Sequence, residues 1–321
     1  MSSPAWSKIT TTLNTGAKMP IFGLGTWQSA PNEVRTAVKA ALQAGYRHID
    51  TAQAYGNEAE VGDGIIDSGV PREEIFLTTK IDNMEHKDVA KVVDESLKKL
   101  KTDYVDLILM HWPVSIDPVD RENQKVLYKD WNFVDTWREM EKIPSSKVKA
   151  IGVSNFGIEN LKTLLESAKT VPAVNQCEAH INCPSTALVD FCKSKGIHFT
   201  AYSCLGSTGS PLANDKTLKE IAEKHNTSTQ KVLLVWNMQR GEGKHISVIP
   251  KSVTPSRIED NLKLDGLELS QEEMDKLNAC QDRFKVCNEW LPQLVFRAPG
   301  TKASDKGSRD FYDKDSLFER E

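Results

Sequence analysis

From Phe22 onward the chain keeps one rhythm: a short apolar run, a polar loop, then a stretch with apolar residues at three- and four-residue steps. Short apolar runs bounded by turn residues predict buried strands, and the helical period predicts helices. Strands are predicted at Phe22–Leu24, Tyr46–Ile49, Ile75–Thr78, Val105–Met110, Ala150–Val153, Ala173–Asn175, His198–Ala201 and Ser247–Ile249. Helices are predicted at Glu33–Ala44, Glu58–Ser68, Asp88–Leu100, Val134–Glu141, Ile158–Ala168, Ser185–Lys195, Lys216–Lys224, Thr229–Met238 and Pro255–Leu262. V-x-x-A-V-K-A-A-L and V-V-D-E-S-L-K-K-L show the amphipathic repeat most cleanly. Ahead of this series, Lys8 to Pro20 alternates around Asn14-Thr15-Gly16, a β-hairpin signal.

Strands alternating with helices predict a parallel sheet. Eight such units in 321 residues most simply close into an α/β fold of the (β/α)8 TIM-barrel type. The expected organisation is one domain over residues 1–321, with the barrel at about 20–281 and a C-terminal loop and tail at 282–321. An open doubly wound sheet is the rival. Against it, Gly23-Leu24-Gly25 runs into Thr26-Trp27-Gln28, with no third glycine to open a helix on a dinucleotide.

A barrel demands that functional residues follow the carboxyl ends of its strands. Those positions hold Gly25-Thr26-Trp27, Asp50 and Tyr55, Lys80, His111-Trp112, Ser154-Asn155, Gln176, Tyr202-Ser203 and Lys251-Ser252. Asp50, Tyr55, Lys80 and His111 stand at the ends of three successive strands and form an acid–base set. A free phenol titrates near 10, too high for efficient proton exchange at neutrality, and a neighbouring ammonium lowers that value. Lys80 is expected to be that ammonium, Asp50 to hold it charged, and His111 to hydrogen-bond the reacting oxygen. The set supplies no electrons, so a reduction needs a hydride-bearing cofactor. No zinc-ligand spacing is visible, and a tyrosine acid needs no metal.

The last unit names the cofactor. Ile249 to Asn261 runs from a strand end into a helix and offers Lys251, Ser252, Thr254 and Arg257 at a phosphate-binding position. Two cations there suit a ribose 2′-phosphate and favour NADP(H) over NAD. Tyr202 offers a flat ring for a nicotinamide. A hydrophobic share of 39% is enough to bury a full core, and a net charge of −4 gives no sign of a nucleic-acid partner. The apolar run around Leu107 to Met110 is far too short to cross a bilayer. Six cysteines without a C-x-x-C pair suit reduced thiols and, with no leader at Met1, a cytoplasmic protein.

Taken together, G-Y-R-H-I-D-T-A-x-x-Y-G-N-E, T-T-K, L-M-H-W-P, I-G-V-S-N-F, A-V-N-Q, T-A-Y-S and I-P-K-S-V-T-P-S-R-I-x-x-N resemble the aldo-keto reductase superfamily from about Ile9 to Arg297. The fungal NADP-dependent aldehyde, glycerol and sugar reductases look most similar. The resemblance implies a catalytic tetrad of Asp50, Tyr55, Lys80 and His111. It implies that Ser154, Asn155 and Gln176 hold the nicotinamide carboxamide, with Tyr202 stacked on the ring. Ser203, Leu205 and Ser207 would meet the pyrophosphate, Lys251, Ser252, Thr254 and Arg257 the 2′-phosphate, and Asn261 the adenine, with Val253 a further cofactor contact. Gly25, Thr26 and Trp27 are also expected to touch the cofactor. Trp27, Ile81, Asp82, Trp112 and Trp290 are the expected substrate pocket, walled by the loop Val114 to Phe133 and by the tail anchor Trp290 to Phe296. The sequence departs from the pattern at Asp82, where an aromatic is usual, at Cys204 in place of a proline, and at Glu178-Ala179-His180-Ile181, which lacks a His-Pro step.

Each of these residues alone has a plainer role: His111 structural, Asp50 a loop cap, Lys251 and Arg257 solvated charges. Their co-occurrence on one face, in order, favours chemistry. The expected function is reversible NADPH-dependent reduction of aldehydes, sugar aldehydes and glyceraldehyde among them, or of ketones, with Tyr55 as general acid. A small carbonyl or alcohol is the expected partner, with no membrane, no nucleic acid, and a monomer. The alternatives are a non-enzymatic NADPH-binding barrel and an enzyme working mainly as a glycerol or polyol dehydrogenase.

Overall fold

Strands buried on both faces build the centre of the molecule. The computed structural model describes residues 5–30, 32–120, 122, 126–207, 211–280, 285–287, 291 and 295. Trp290 and the tail beyond Val295 lie outside the described residues. All six residues of β5 (Phe76–Ile81) are buried. Side chains alternate between faces along a strand, so Phe76, Thr78 and Lys80 turn into the barrel while Leu77, Thr79 and Ile81 turn toward the helices. Phe76 accordingly packs with Leu107, Leu109, Ala150, Ala173 and Val174 in an inner cluster. Leu77 and Ile81 join the larger core between sheet and helices, and the Thr79 hydroxyl donates to Glu58 at 2.6 Å.

The hairpin forms as expected, β1 (Thr10–Thr12) pairing antiparallel with β2 (Lys18–Pro20). Gly16 takes the turn at φ +86°, a backbone region open to glycine. Leu13 and Met19 join the inner cluster, so the hairpin plugs the end where the strands begin. The eight-stranded sheet then runs β3 (Leu24–Gly25), β4 (His48–Asp50), β5, β6 (Val105–Met110), β7 (Val148–Ser154), β8 (Val174–Glu178), β9 (His198–Tyr202) and β10 (Ile246–Val248), each pairing parallel with the next. Closure comes from Gly23 N–H on Val248 O at 2.9 Å, Gly25 N–H on Pro250 O at 3.2 Å and Val248 N–H on Ile21 O at 2.8 Å. A Cβ on Gly25 would stand 2.8 Å from Ile249 O, so this seam needs a glycine.

The helices are α1 (Glu33–Ala44), α2 (Glu58–Ser68), α3 (Val89–Leu100), α4 (Phe133–Met140), α5 (Ile158–Leu165), α6 (Thr186–Ser194), α7 (Lys216–Lys224), α8 (Thr229–Arg240), α9 (Pro255–Asn261) and α10 (Gln271–Asn278). Of these the hydrophobic pattern missed α10, whose start carries a Ser270/Glu273 capping box in the sequence. The strand expected at Ile75–Thr78 continues to Ile81, because a lysine that reads as loop is accepted inside the barrel. Tyr46 lies outside β4 and sends its hydroxyl to Ile258 O at 3.0 Å. Among the described residues no helix is long and apolar enough to cross a membrane, and all six cysteines are free.

Burial also discharges histidines. His86, His111 and His198 each fall to about 3, first of all because burial disfavours the imidazolium. An unfolded imidazole protonates near 6.5, so the folded value is depressed, and this stability is full above that pH and is lost on acidification. The loss is about 1.4 kcal/mol per pH unit for each histidine. Urea midpoints should therefore be clearly lower near pH 5 than near pH 7; equal midpoints would mean that these rings protonate in the native state. Packing has a separate test at Gly152, where a Cβ would meet Val174 O at 2.7 Å and Leu109 Cδ2 at 2.8 Å. Gly152→Ala should cost about 1–3 kcal/mol in chemical denaturation.

Candidate active site

Neighbouring strands carry the charged pair. Asp50 ends β4, and Lys80 points inward from β5, whose Thr78 is paired with Asp50. Lys80 is fully buried. Its ammonium donates to Asp50 Oδ1 at 2.6 Å, to Thr51 O at 2.8 Å and to the Tyr55 hydroxyl at 3.4 Å. The other Asp50 oxygen accepts Gln176 Nε2 at 2.6 Å. Tyr55 is delivered by a short 3-10 turn, Gln53–Tyr55. Asn57 fixes that loop, accepting the Thr51 hydroxyl at 3.2 Å and donating to Thr26 O at 3.0 Å. His111 follows β6 directly, and its ring stands edge-on to Tyr55, 5.7 Å between centroids at 71°. Asp50, Tyr55, Lys80 and His111 therefore meet at one barrel mouth.

The electrostatics differ from the expectation of an acidified phenol. Burial first, then Asp50, hold Tyr55 well above its ordinary value. Asp50 neutralises Lys80 at close range, so little net positive charge reaches the ring. Burial lowers Lys80, with Asp50 opposing the shift. His111, at about 3 through burial and the nearby Lys80, is neutral, and its Nδ1 is buried without a hydrogen-bond partner among the described residues. The phenol is consequently held as the acid, beside a cation that is already in place.

Around this set runs a polar ring. The Ser154 hydroxyl donates to Gln176 O at 2.8 Å. Asn155, left-handed at φ 62°, donates to His111 O at 2.9 Å and to Ser154 Oγ at 3.1 Å. It accepts the Tyr202 hydroxyl at 2.7 Å. Ser203 and Ser207 are also left-handed, and Leu205 packs on the core. Cys204 is buried and pushed up to about 12 by burial, so it is chemically quiet.

Across the seam, Lys251 donates to Gln28 O at 3.0 Å, and Ser252 Oγ accepts Thr254 N–H at 3.2 Å. Ser252 and Val253 are half-buried, Thr254 and Arg257 exposed, and Asn261 buried. Among the described residues neither Lys251 nor Arg257 pairs with a carboxylate. Two such cations with two hydroxyls form a donor set that fits a phosphate monoester.

Two expected pocket residues, Ile81 and Asp82, take other places. Ile81 faces the helices. The Asp82 carboxylate accepts Met84 N–H at 3.2 Å, capping the turn Asn83–Glu85. Gly25 serves the seam, while Thr26 donates to Asp50 O at 3.0 Å. Trp27 is 41% exposed at the mouth. Trp112 packs with Val114, Ile116, Cys183 and Val295, which brings the loop after β6 and the tail anchor to one wall. The motif reading missed Glu178, although strand alternation puts it on the same face as Gln176.

A family model described as "Aldo/keto reductase family" matches residues 21–282. The glycerol 2-dehydrogenase (NADP(+)) of Saccharomyces cerevisiae is 46% identical over 305 residues, 89% of this chain and 96% of that protein. The D-galacturonate reductase of Hypocrea jecorina is 46% identical over 278 residues, 83% and 88% of the two chains. The aldose reductase structure from Schistosoma japonicum superposes with a TM-score of 0.80 at 39% identity, covering 86% of this chain and 93% of that one. Sequence and architecture agree, and the chain belongs to the aldo/keto reductase family.

Proposed function

We propose that this protein reduces aldehydes to alcohols with NADPH, reversibly, with Tyr55 as the proton donor. The observation that carries the reading is the triangle of buried Asp50 and Lys80 with half-buried Tyr55, Lys80 Nζ lying 2.6 Å from the carboxylate and 3.4 Å from the phenol. When bound, NADPH supplies the hydride. As charge gathers on the carbonyl oxygen, Tyr55 gives it a proton. Lys80 then faces a phenolate, and its attraction is realised only as that charge forms. His111, being neutral, offers an N–H to the same oxygen without adding charge to the site. Asp50 and Thr51 keep the ammonium in line throughout. In the oxidising direction the same groups act in reverse.

Tyr202, Ser154, Asn155 and Gln176 line the side of the mouth suited to the nicotinamide. Lys251 and Arg257, free of carboxylates among the described residues, support the choice of the 2′-phosphate form. The substrate class proposed is small aldehydes, including glyceraldehyde and sugar aldehydes, in keeping with the printed activities of the similar fungal proteins. All four central residues come from one chain, so a monomer holds a complete set. Free cysteines support a cytoplasmic setting.

Tyr55→Phe removes only the transferable proton. Steady-state turnover of glyceraldehyde should fall ~100- to 10,000-fold while NADPH still binds, as read by fluorescence titration; retained turnover sinks the assignment. Lys251→Met with Arg257→Met should weaken NADPH at least ~10-fold with a much smaller effect on NADH. Equal weakening of both coenzymes would remove these cations from the phosphate site.

A further inference from the structure

Two residues beyond Gln176, β8 ends in a carboxylate with no part in the proton transfer. Glu178 is fully buried, and its hydrogen bonds reach far along the chain. Oε1 accepts Val286 N–H at 2.5 Å and lies 3.0 Å from His180 Nε2. Oε2 accepts Cys287 N–H at 2.9 Å and the Lys285 ammonium at 3.3 Å. Lys285 is itself fully buried. One side chain therefore grips three consecutive residues of the segment that follows α10. Burial opposes the charge, yet Lys285, His180 and the backbone N–H groups hold Glu178 down at about 2.

The gripped segment reaches the mouth on two sides. Glu178 is register partner to Tyr202, and the Tyr202 hydroxyl and Cys287 thiol are hydrogen-bonding neighbours. Farther on, Leu291 and Val295 pack against the cluster that contains Trp112.

We propose that Glu178 is a positioning residue, a buried clasp that holds residues 285–287 over the barrel mouth, sets Cys287 against Tyr202 and fixes the wall at Trp112. The proposal rests on the reading that this mouth binds coenzyme and aldehyde. The ligand atoms of Glu178, His180 and Cys183 lie within 4.8 Å of one another, the spacing a metal ion would need. The Lys285 ammonium already supplies the positive charge at the carboxylate, and a second cation there would be repelled.

Glu178→Gln keeps the shape and removes the charge. Two readouts follow the clasp, and one of them is independent of turnover. In the native protein Cys287 is half-buried and its thiol pushed up to about 12 by burial, so it should react slowly with iodoacetamide. Mass spectrometry should find its alkylation at least ~10-fold faster in Glu178→Gln. The KM for glyceraldehyde should rise ~5-fold or more with kcat within ~3-fold, the split expected when a wall is lost and the chemistry is kept. Should Glu178→Gln fail to fold because Lys285 is stranded, Glu178→Gln with Lys285→Met replaces the buried pair by neutral groups and should give the same two changes. A folded variant with native Cys287 reactivity and native KM overturns the proposal. So does a fall in kcat at constant KM, which would put Glu178 in the chemistry itself. Stoichiometric binding of added zinc by the native protein, lost in His180→Ala, would make the cluster a metal site and likewise overturn it. If the native protein turned over no aldehyde at all, the functional reading would fail, while the alkylation rates would still decide the clasp.

Discussion

An ammonium with no access to solvent is the constraint around which this molecule is arranged. Taking Lys80 and Asp50 out of water costs several kcal/mol for each ion, and their mutual attraction offsets that cost only when the remaining hydrogen-bonding capacity is also satisfied. The structure meets this condition: Asp50 has Gln176 on its second oxygen, and Lys80 has Thr51 O. Asp50 and Thr51 stand at the end of β4 and Lys80 on the neighbouring β5, but Gln176 comes from β8, so the pair has all its partners only when the sheet has curled. The ion pair is poor evidence for extra stability, but it ties the geometry of the mouth to the completeness of the barrel.

The lower half of the barrel makes this arrangement possible. Phe76, Leu107, Leu109, Ala150 and Val174 fill the interior below Lys80, with Leu13 and Met19 of the hairpin beneath them. Gly152 leaves room for Leu109 to cross. A tightly packed floor leaves the lysine few rotamers, which favours the one directed at the mouth. Tyr55, by contrast, is held from outside the sheet, by a turn that Asn57 ties to Thr26 and Thr51.

Periodicity was sufficient to read the repeating units, the hairpin and the face on which function would gather, because all three depend on local alternation and on chain order. That Asp50, Tyr55, Lys80 and His111 meet at one mouth was legible for the same reason. What it could not supply were properties of three-dimensional burial. Lys80 reads as a loop residue because local alternation counts an ammonium as polar, although its pairing with Asp50, 30 positions earlier, was expected; full burial of that pair is what admits the lysine to the strand. The direction of the Tyr55 shift depends on whether the ammonium has a nearer anion, which spacing alone does not reveal. Ile81 and Asp82 were given to the pocket by proximity in sequence to Lys80, but one more step along a strand reverses the face, and the next residue begins a cap. Glu178 stands in the sequence only as part of a departure from a motif, since its partners lie beyond α10.

The seam between first and last strand carries a further consequence. β3 has two residues and β10 three, so the ring is joined there by few ladder bonds, and Gly25 and Lys251 sit directly across the gap. A dinucleotide held on one side by Lys251 and on the other by the residues after Gly25 would act as a rivet through the thinnest part of the hoop. Occupancy and closure are then linked by mass action: coenzyme abundance in the cell would govern how long each copy of the protein survives, quite apart from how fast it turns over.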